Sequence, residues 1–127
     1  MLELPLQDQC EVIYVPCLLA NLSTGEQCIV DAVWDTWSQR TAISEEAFKA
    51  IGLDRGPAIQ VQGSAGLTEG WTTECKVSLT EYDLWEVEVD VLPKLPVHMV
   101  IGMDIVSTGN LSLTYDDPGY TFRFEQL

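Results

Sequence analysis

Asp35 stands at the end of an apolar stretch, Val30-Asp31-Ala32-Val33-Trp34, and is followed at once by Thr36-Trp37-Ser38. A carboxylate at the end of a buried strand, aimed by a tight turn, is costly to desolvate. It calls for a hydrogen-bonded structural reason or a chemical one. The chemistry open to it is proton transfer, as a general base when ionised and a general acid when protonated. Asp31 does not supply a partner. Four residues apart on a strand, Asp31 and Asp35 share a face but lie ~13 Å from each other, too far to share a proton. One chain therefore offers one useful aspartate, and a paired-carboxylate mechanism needs Asp35 from a second copy. The alternative without chemistry is an aspartate that caps a turn.

Other candidates are weaker. Cys10, Cys17, Cys28 and Cys75 have no paired spacing, and His98 is the single histidine. No metal site and no cofactor are expected. Cys17 and Cys28 fall inside apolar strands and read as small core residues. His98 lies in an apolar stretch and reads as packed or partly exposed rather than catalytic. Gly63-Ser64-Ala65-Gly66 has no following lysine, so it is not a phosphate cradle. Asn21-Leu22-Ser23 and Asn110-Leu111-Ser112 match the glycosylation pattern, which is common and carries little weight.

Composition narrows the classes further. At 127 residues and 46% hydrophobic, the chain is expected to be one folded domain over 1–127, with a core from about 12 to 124. Six basic residues against 20 acidic give a net charge of -14. Such a chain has no cationic surface with which to displace counterions, so neither nucleic acid nor an anionic membrane is an expected partner. Two copies would repel, and association should strengthen as pH falls or salt rises. No apolar run is long enough for a transmembrane span, and Met1-Leu2-Glu3-Leu4-Pro5-Leu6 lacks the pattern of a signal peptide. The expected location is cytoplasmic or undetermined.

The elements that must position Asp35 are short strands. Val12 to Ala20 and Gln27 to Asp35 form a hairpin across the turn residues 21–26. Ser44 caps a two-turn helix, with Ile43 and Phe48 at the staple positions, Glu45 and Glu46 in its first turn, and Gly52 at its end. Ala58 to Gln62 and Thr72 to Leu79 are strands, and Gly63 to Gly66 reads as a loop tip between them. Trp85 to Val91 alternates apolar residues with Glu86, Glu88 and Asp90, whose carboxylates read as a solvated face. Val97 to Ile101 is a short buried strand, and Asp104 is placed to cap a short helix. Leu111 to Tyr115 and Tyr120 to Phe124 close the chain as a hairpin around Asp116-Asp117-Pro118-Gly119. With eight or nine strands and one or two short helices, the fold class is all-β, a small closed barrel. Trp34, Trp71 and Trp85 are expected in the core or along a cleft.

In order and spacing these motifs resemble the retroviral-type, retropepsin-like aspartic proteases, as a bacterial-type member with Asp-Thr-Trp in place of Asp-Thr-Gly. The resemblance rests on Trp34-Asp35-Thr36, Thr41-Ala42-Ile43-Ser44, Gly52-Leu53, the glycine-bracketed tip Gly63 to Gly66, and Ile101-Gly102-Met103-Asp104. It covers roughly Val12 to Phe124. It implies a closed acid-protease barrel with one or two short helices, working as a homodimer on a peptide or protein substrate. Asp35 would be the catalytic aspartate, one from each subunit, with Thr36 bracing the pair. Gly63, Ser64, Ala65 and Gly66 would form the flap, and Ile101 and Gly102 would support the site from beneath.

Trp37 is the departure, since the family has glycine there. Its backbone N–H must approach the carboxylate in a crowded turn that suits glycine. Either the turn holds, with the indole in a cleft or at the dimer seam before Ser38, or it distorts and leaves a silent protein. On the first outcome the chain is an aspartic endopeptidase using an Asp35 pair and an activated water. On the second it is a peptide-binding or dimerisation module of the same fold. The indole is expected to contribute buried area to stability, and Trp37→Gly to raise activity more than tenfold.

Overall fold

Strands begin at the N-terminus, where Leu2, Leu4 and Leu6 alternate with Glu3 and Pro5 in β1 (Leu2–Leu6). The sequence reading placed no strand there. Proline is tolerated on this strand because only one of its sides is paired. The computed structural model describes residues 1–6, 12–63, 66–81, 83–116 and 119–127. Cys10, Ser64, Ala65, Asp117 and Pro118 lie outside these.

The expected hairpin forms as β2 (Tyr14–Ala20) and β3 (Gln27–Trp34), antiparallel with Cys17 opposite Val30. Asn21 closes its turn. The side chain accepts from the Ser23 and Thr24 amides and donates to the Ile51 and Gly52 carbonyls, so this buried asparagine is a structural residue. β4 (Ala42–Ile43) leads into α1 (Glu45–Ala50). The Ser44 side chain accepts from Ala47 N, as an N-cap should, and Gly52 takes the positive φ of 64° that follows the helix.

β5 (Ala58–Gly63) and β6 (Gly66–Ser78) make a long hairpin, and β6 starts well before the expected Thr72. β7 (Leu84–Val91), β8 (Met99–Ile101), α2 (Met103–Val106), β9 (Gly109–Asp116) and β10 (Gly119–Gln126) complete the chain. The barrel closes as a ring in the order β2–β3–β8–β4–β7–β6, with β6 pairing back onto β2. β5 hangs outside the ring on β6. β1, β10 and β9, in that order, form a separate three-stranded sheet beneath it.

The interior is filled by Val15, Leu19, Ile43, Val77, Val89, Met99, Ile101 and Ile105, all fully buried. Phe122 and Phe124 of β10 are fully buried too. They carry the small sheet against the barrel through Trp34 and Trp85. Trp71 and Trp85 are buried as expected, and the Trp85 indole donates to Thr108 Oγ1 at 2.8 Å.

Two readings from the sequence are corrected. Asp90 is not part of a solvated face: it is buried, and Arg40 donates to it at 2.9 Å. Strand alternation alone does not reveal that a cation from another loop will cover one position. Asp104 does not cap α2. Gly102 occupies the N-cap, and the Asp104 carboxylate reaches across to Thr41.

Cys17 and Cys75 behave as core residues, and burial pushes both thiols up to about 12. Cys28 is only half-buried, and burial raises it more modestly. Thiols alkylate as thiolates, so at pH 8 the folded chain should leave Cys17 and Cys75 unmodified until denaturant is added. Peptide mass mapping checks this, and rapid labelling of both without denaturant would contradict the barrel interior described here.

Candidate active site

The end of β3 is held in place before the turn begins. The Trp34 ring packs against Phe122 and Phe124, both at 5.0 Å between centroids, and β3 runs parallel to β8 with Trp34 opposite Ile101. Asp35 N then donates to the Ile101 carbonyl at 3.0 Å. Ser38 N donates to the Asp35 carbonyl at 3.2 Å, which closes a four-residue turn. Within it, Trp37 N donates to Asp35 Oδ1 at 2.9 Å. The carboxylate is thus aimed by a backbone amide two residues on, the local bond that suits aspartate to turns.

That amide belongs to Trp37. The tryptophan makes the approach that favours glycine in this position, and the turn closes. The cost falls on the side chain, which is 95% exposed. The expectation of a stabilising buried indole is therefore overturned within one chain. Thr36 is also exposed, and the Ser38 hydroxyl donates to the Arg40 carbonyl at 2.8 Å.

Beneath the turn the chain is clamped. A Cβ on Gly102 would stand 2.6 Å from both the carbonyl carbon and oxygen of Arg40, and 2.9 Å from the Ser38 oxygen. These are backbone atoms with no freedom to swing away. Met103 N and Asp104 N donate to the Ser38 and Gln39 carbonyls at 2.8 and 3.2 Å. The Asp104 carboxylate accepts from Thr41 N at 3.0 Å and Thr41 Oγ1 at 2.8 Å, and Thr41 Oγ1 accepts from Gly102 N at 3.2 Å.

Arg40 adds a charged tie, donating to Asp90 at 2.9 Å and Glu88 at 3.1 Å. Burial raises the Asp90 carboxyl; the Arg40 guanidinium pulls it back only in part, with Asp104 and Glu88 pushing the same way as burial. Arg40 was not singled out from the sequence, Thr41 entered only as part of a motif, and Asp90 only as a solvated carboxylate. A cation five residues after Asp35, in a chain with six, was the one available signal.

The glycine-bracketed tip is a hairpin end, with Gly63 opposite Gly66, and Gly66 has a φ of 107°. Ser64 and Ala65 fall outside the described residues. Leu67 beside the tip is largely exposed. The cavities that indent the described surface include four of about 310 to 940 Å³, and Asp35 lines none of these four. The widest of these lies at the base of the β5–β6 hairpin, where the Arg55 guanidinium sits 4.2 Å above the Trp71 ring. Asp35 itself is half-buried, and Thr36 and Trp37 after it are exposed.

His98 is mostly exposed. Its Nδ1 lies 3.5 Å from Ser44 Oγ and 3.8 Å from Glu46. Both contacts fall on one ring nitrogen, so no Ser-His-acid relay is assembled. Among the described residues, no three histidine, cysteine or acidic side chains converge as a metal site would require. No described helix is long and apolar enough to cross a membrane.

Comparison with known proteins agrees with this geometry. The family model for aspartyl proteases matches residues 20–105. The chain is similar in structure to a retropepsin-like aspartic protease from Rickettsia conorii, with a TM-score of 0.66 at 12% identity over 95% of this chain and 98% of that one. The EIAV protease, solved with the inhibitor HBY-793, gives 0.62 at 15% identity over 80% and 91%. The retroviral protease-like domain of Ddi1 from Leishmania major gives 0.60 at 18% over 91% and 96%. No curated protein sequence matches the chain.

Proposed function

The chain belongs to the aspartyl protease family, and from that premise we propose that it is a peptide-bond hydrolase working through Asp35 of two copies in a homodimer. The observation that carries this reading is the Asp35 turn. Its carboxylate is oriented by Trp37 N–H and its backbone is anchored on Ile101, while Asp31, the other aspartate of that strand, lies too far along it to share a proton. A second copy of the same turn would supply the partner carboxylate.

Two carboxylates about 3 Å apart cannot both ionise, so the pair holds a single proton. The ionised member takes a proton from water as the water attacks the peptide carbonyl. The protonated member donates to the oxygen on which charge develops. Thr36, exposed beside Asp35, is within reach of the partner once the turns meet. The β5–β6 hairpin would close over the substrate and exclude water. An exposed Trp37 two residues from the dyad would have to pack against the partner subunit.

The alternative, a silent module for peptide binding or dimerisation, had its main support in a distorted turn, and the turn is closed. Cleavage of a peptide library near pH 5 separates the two. The rate is expected to rise with the square of chain concentration while monomer predominates. Trp37→Gly should keep the melting temperature, since an exposed indole stabilises little. It should change activity per dimer less than tenfold, in contrast to the gain expected from the sequence, because the amide already holds the carboxylate. No cleavage by either protein at any concentration would establish the silent reading.

A further inference from the structure

Of the six basic side chains, Arg40, Lys49 and Arg123 are tied to carboxylates. Arg55, Lys76 and Lys94 have no carboxylate within ion-pair distance among the described residues. In a chain with 20 acidic residues an unpaired cation is an exception. Two of these three, Arg55 and Lys94, line the same cavity of about 940 Å³ at the base of the β5–β6 hairpin. Glu69 is the one acid among its lining residues, and it pairs with neither. Trp71 lines the cavity too. It is 7% exposed, and its indole N–H has no acceptor among the described residues. Three hydrogen-bond donors of different kinds thus surround one opening, and none has an acidic partner there.

The fold holds these groups in place. The Asp54 carbonyl accepts from Thr73 Oγ1 at 2.7 Å, and Gly56 N donates to the Thr72 carbonyl at 2.7 Å. The residues on both sides of Arg55 are therefore fixed to β6. Its guanidinium lies 4.2 Å above the Trp71 ring, and stacking of this kind leaves the N–H groups at its edge able to donate. Lys94 sits in the turn after β7, which is closed by Leu95 N on the Leu92 carbonyl at 3.0 Å. Leu92 N in turn donates to the Ile43 carbonyl at 3.1 Å, so that turn is anchored on β4.

We propose that this cavity is an accessory subsite for an extended acidic peptide, whose carboxylate side chains are taken by Arg55 and Lys94. As a substrate subsite it rests on the peptidase reading above; the binding itself does not. The ligand is anionic because an anion satisfies both cations: the guanidinium offers a fork to a carboxylate, and the ammonium offers a point charge. The carboxylates belong to a peptide because Ala58, Ile59 and Gln60 of β5 line the same cavity, and β5 is an edge strand that pairs only with β6. Its outer main-chain groups can pair with an extended chain. The net charge of -14 does not prevent this. Exposed charges farther away than a Debye length of ~8 Å are largely screened at physiological salt, whereas the two cations would act in direct contact.

Calorimetric binding of end-blocked hexaglutamate, end-blocked hexaglutamine and succinate at pH 7 tests this. The host is the full chain carrying Asp35→Asn, so that no peptide is consumed. Hexaglutamate is expected to bind, hexaglutamine not to, and succinate to bind at least tenfold more weakly than hexaglutamate. Adding Arg55→Gln or Lys94→Gln should weaken hexaglutamate binding about tenfold or more, the size expected for a lost hydrogen bond to a charged group. Glu69→Gln should strengthen it. Lys76→Gln removes the same charge from β6 outside the cavity and should leave affinity within about twofold, since a distant exposed charge is screened. An equal loss from Lys76→Gln, or no loss from Arg55→Gln and Lys94→Gln, overturns the subsite. So does a hexaglutamate that does not bind. Succinate binding as tightly as hexaglutamate overturns the peptide as occupant. If Arg55→Gln does not fold, Lys94→Gln, in an exposed turn, decides alone. Cleavage by the unmodified chain is measured separately. Cleavage without hexaglutamate binding rejects the subsite and leaves the peptidase reading standing, and binding without cleavage does the reverse.

Discussion

Peptide cleavage is expected to fall at least about a hundredfold when Asp35 is replaced by asparagine, with the fold unchanged. Proton transfer by a placed group contributes on the order of 10² to 10⁴ in rate, and an amide can neither share nor pass on the proton. Folding survives because an asparagine Oδ1 accepts the same bond from Trp37 N, and asparagine suits such turns as well as aspartate does. Asp31→Asn is the matched control. Asp31 is exposed on β3 opposite Pro16 and should retain near-full activity. Initial rates with both variants, alongside their melting curves, check this. Equal loss from both would mean the wrong carboxylate has been assigned.

The second large effect is expected from Gly102→Ala. One methyl group would be driven to 2.6 Å from the Arg40 carbonyl carbon and oxygen, far inside ordinary contact. Overpacking of this kind typically costs about 1–3 kcal/mol. Here the displaced atoms belong to the segment that leaves the Asp35 turn, which is also fixed by Met103 N on Ser38 and Asp104 on Thr41. Relief by movement therefore shifts the carboxylate, and a misplacement of about 1 Å can cost on the order of a hundredfold in rate. The variant should melt lower and lose activity disproportionately to its folded fraction. Chemical denaturation together with active-site titration checks it. A stable, fully active Gly102→Ala would show that the close packing under the turn is not required.

Much of the fold was legible in the chain because its signals are local. Ser44 caps α1 through its own side chain, Gly52 takes the left-handed conformation after it, and the β2–β3 hairpin follows from two apolar runs about turn residues. Asp35 could be singled out for the same reason: a carboxylate at a strand end next to Thr36 is visible without coordinates. β1 was not legible, since Pro5 argues against a strand unless one knows that it lies at an edge.

What only the tertiary structure decided are relations between distant segments. Asp90 looked like one of three solvated carboxylates until Arg40, fifty residues earlier, was found donating to it. Asp104 looked like a helix cap until its carboxylate was found on Thr41, sixty-three residues away. Trp37 is the sharpest case. The sequence shows a residue whose Cβ and indole threaten a crowded turn. Whether the amide still reaches Asp35 depends on how Ile101 and Gly102 hold that turn from below, and no pattern along the chain encodes that distance. The residues named the chemistry open to Asp35, and the packing of β8 and β10 against the end of β3 decided where its carboxylate points.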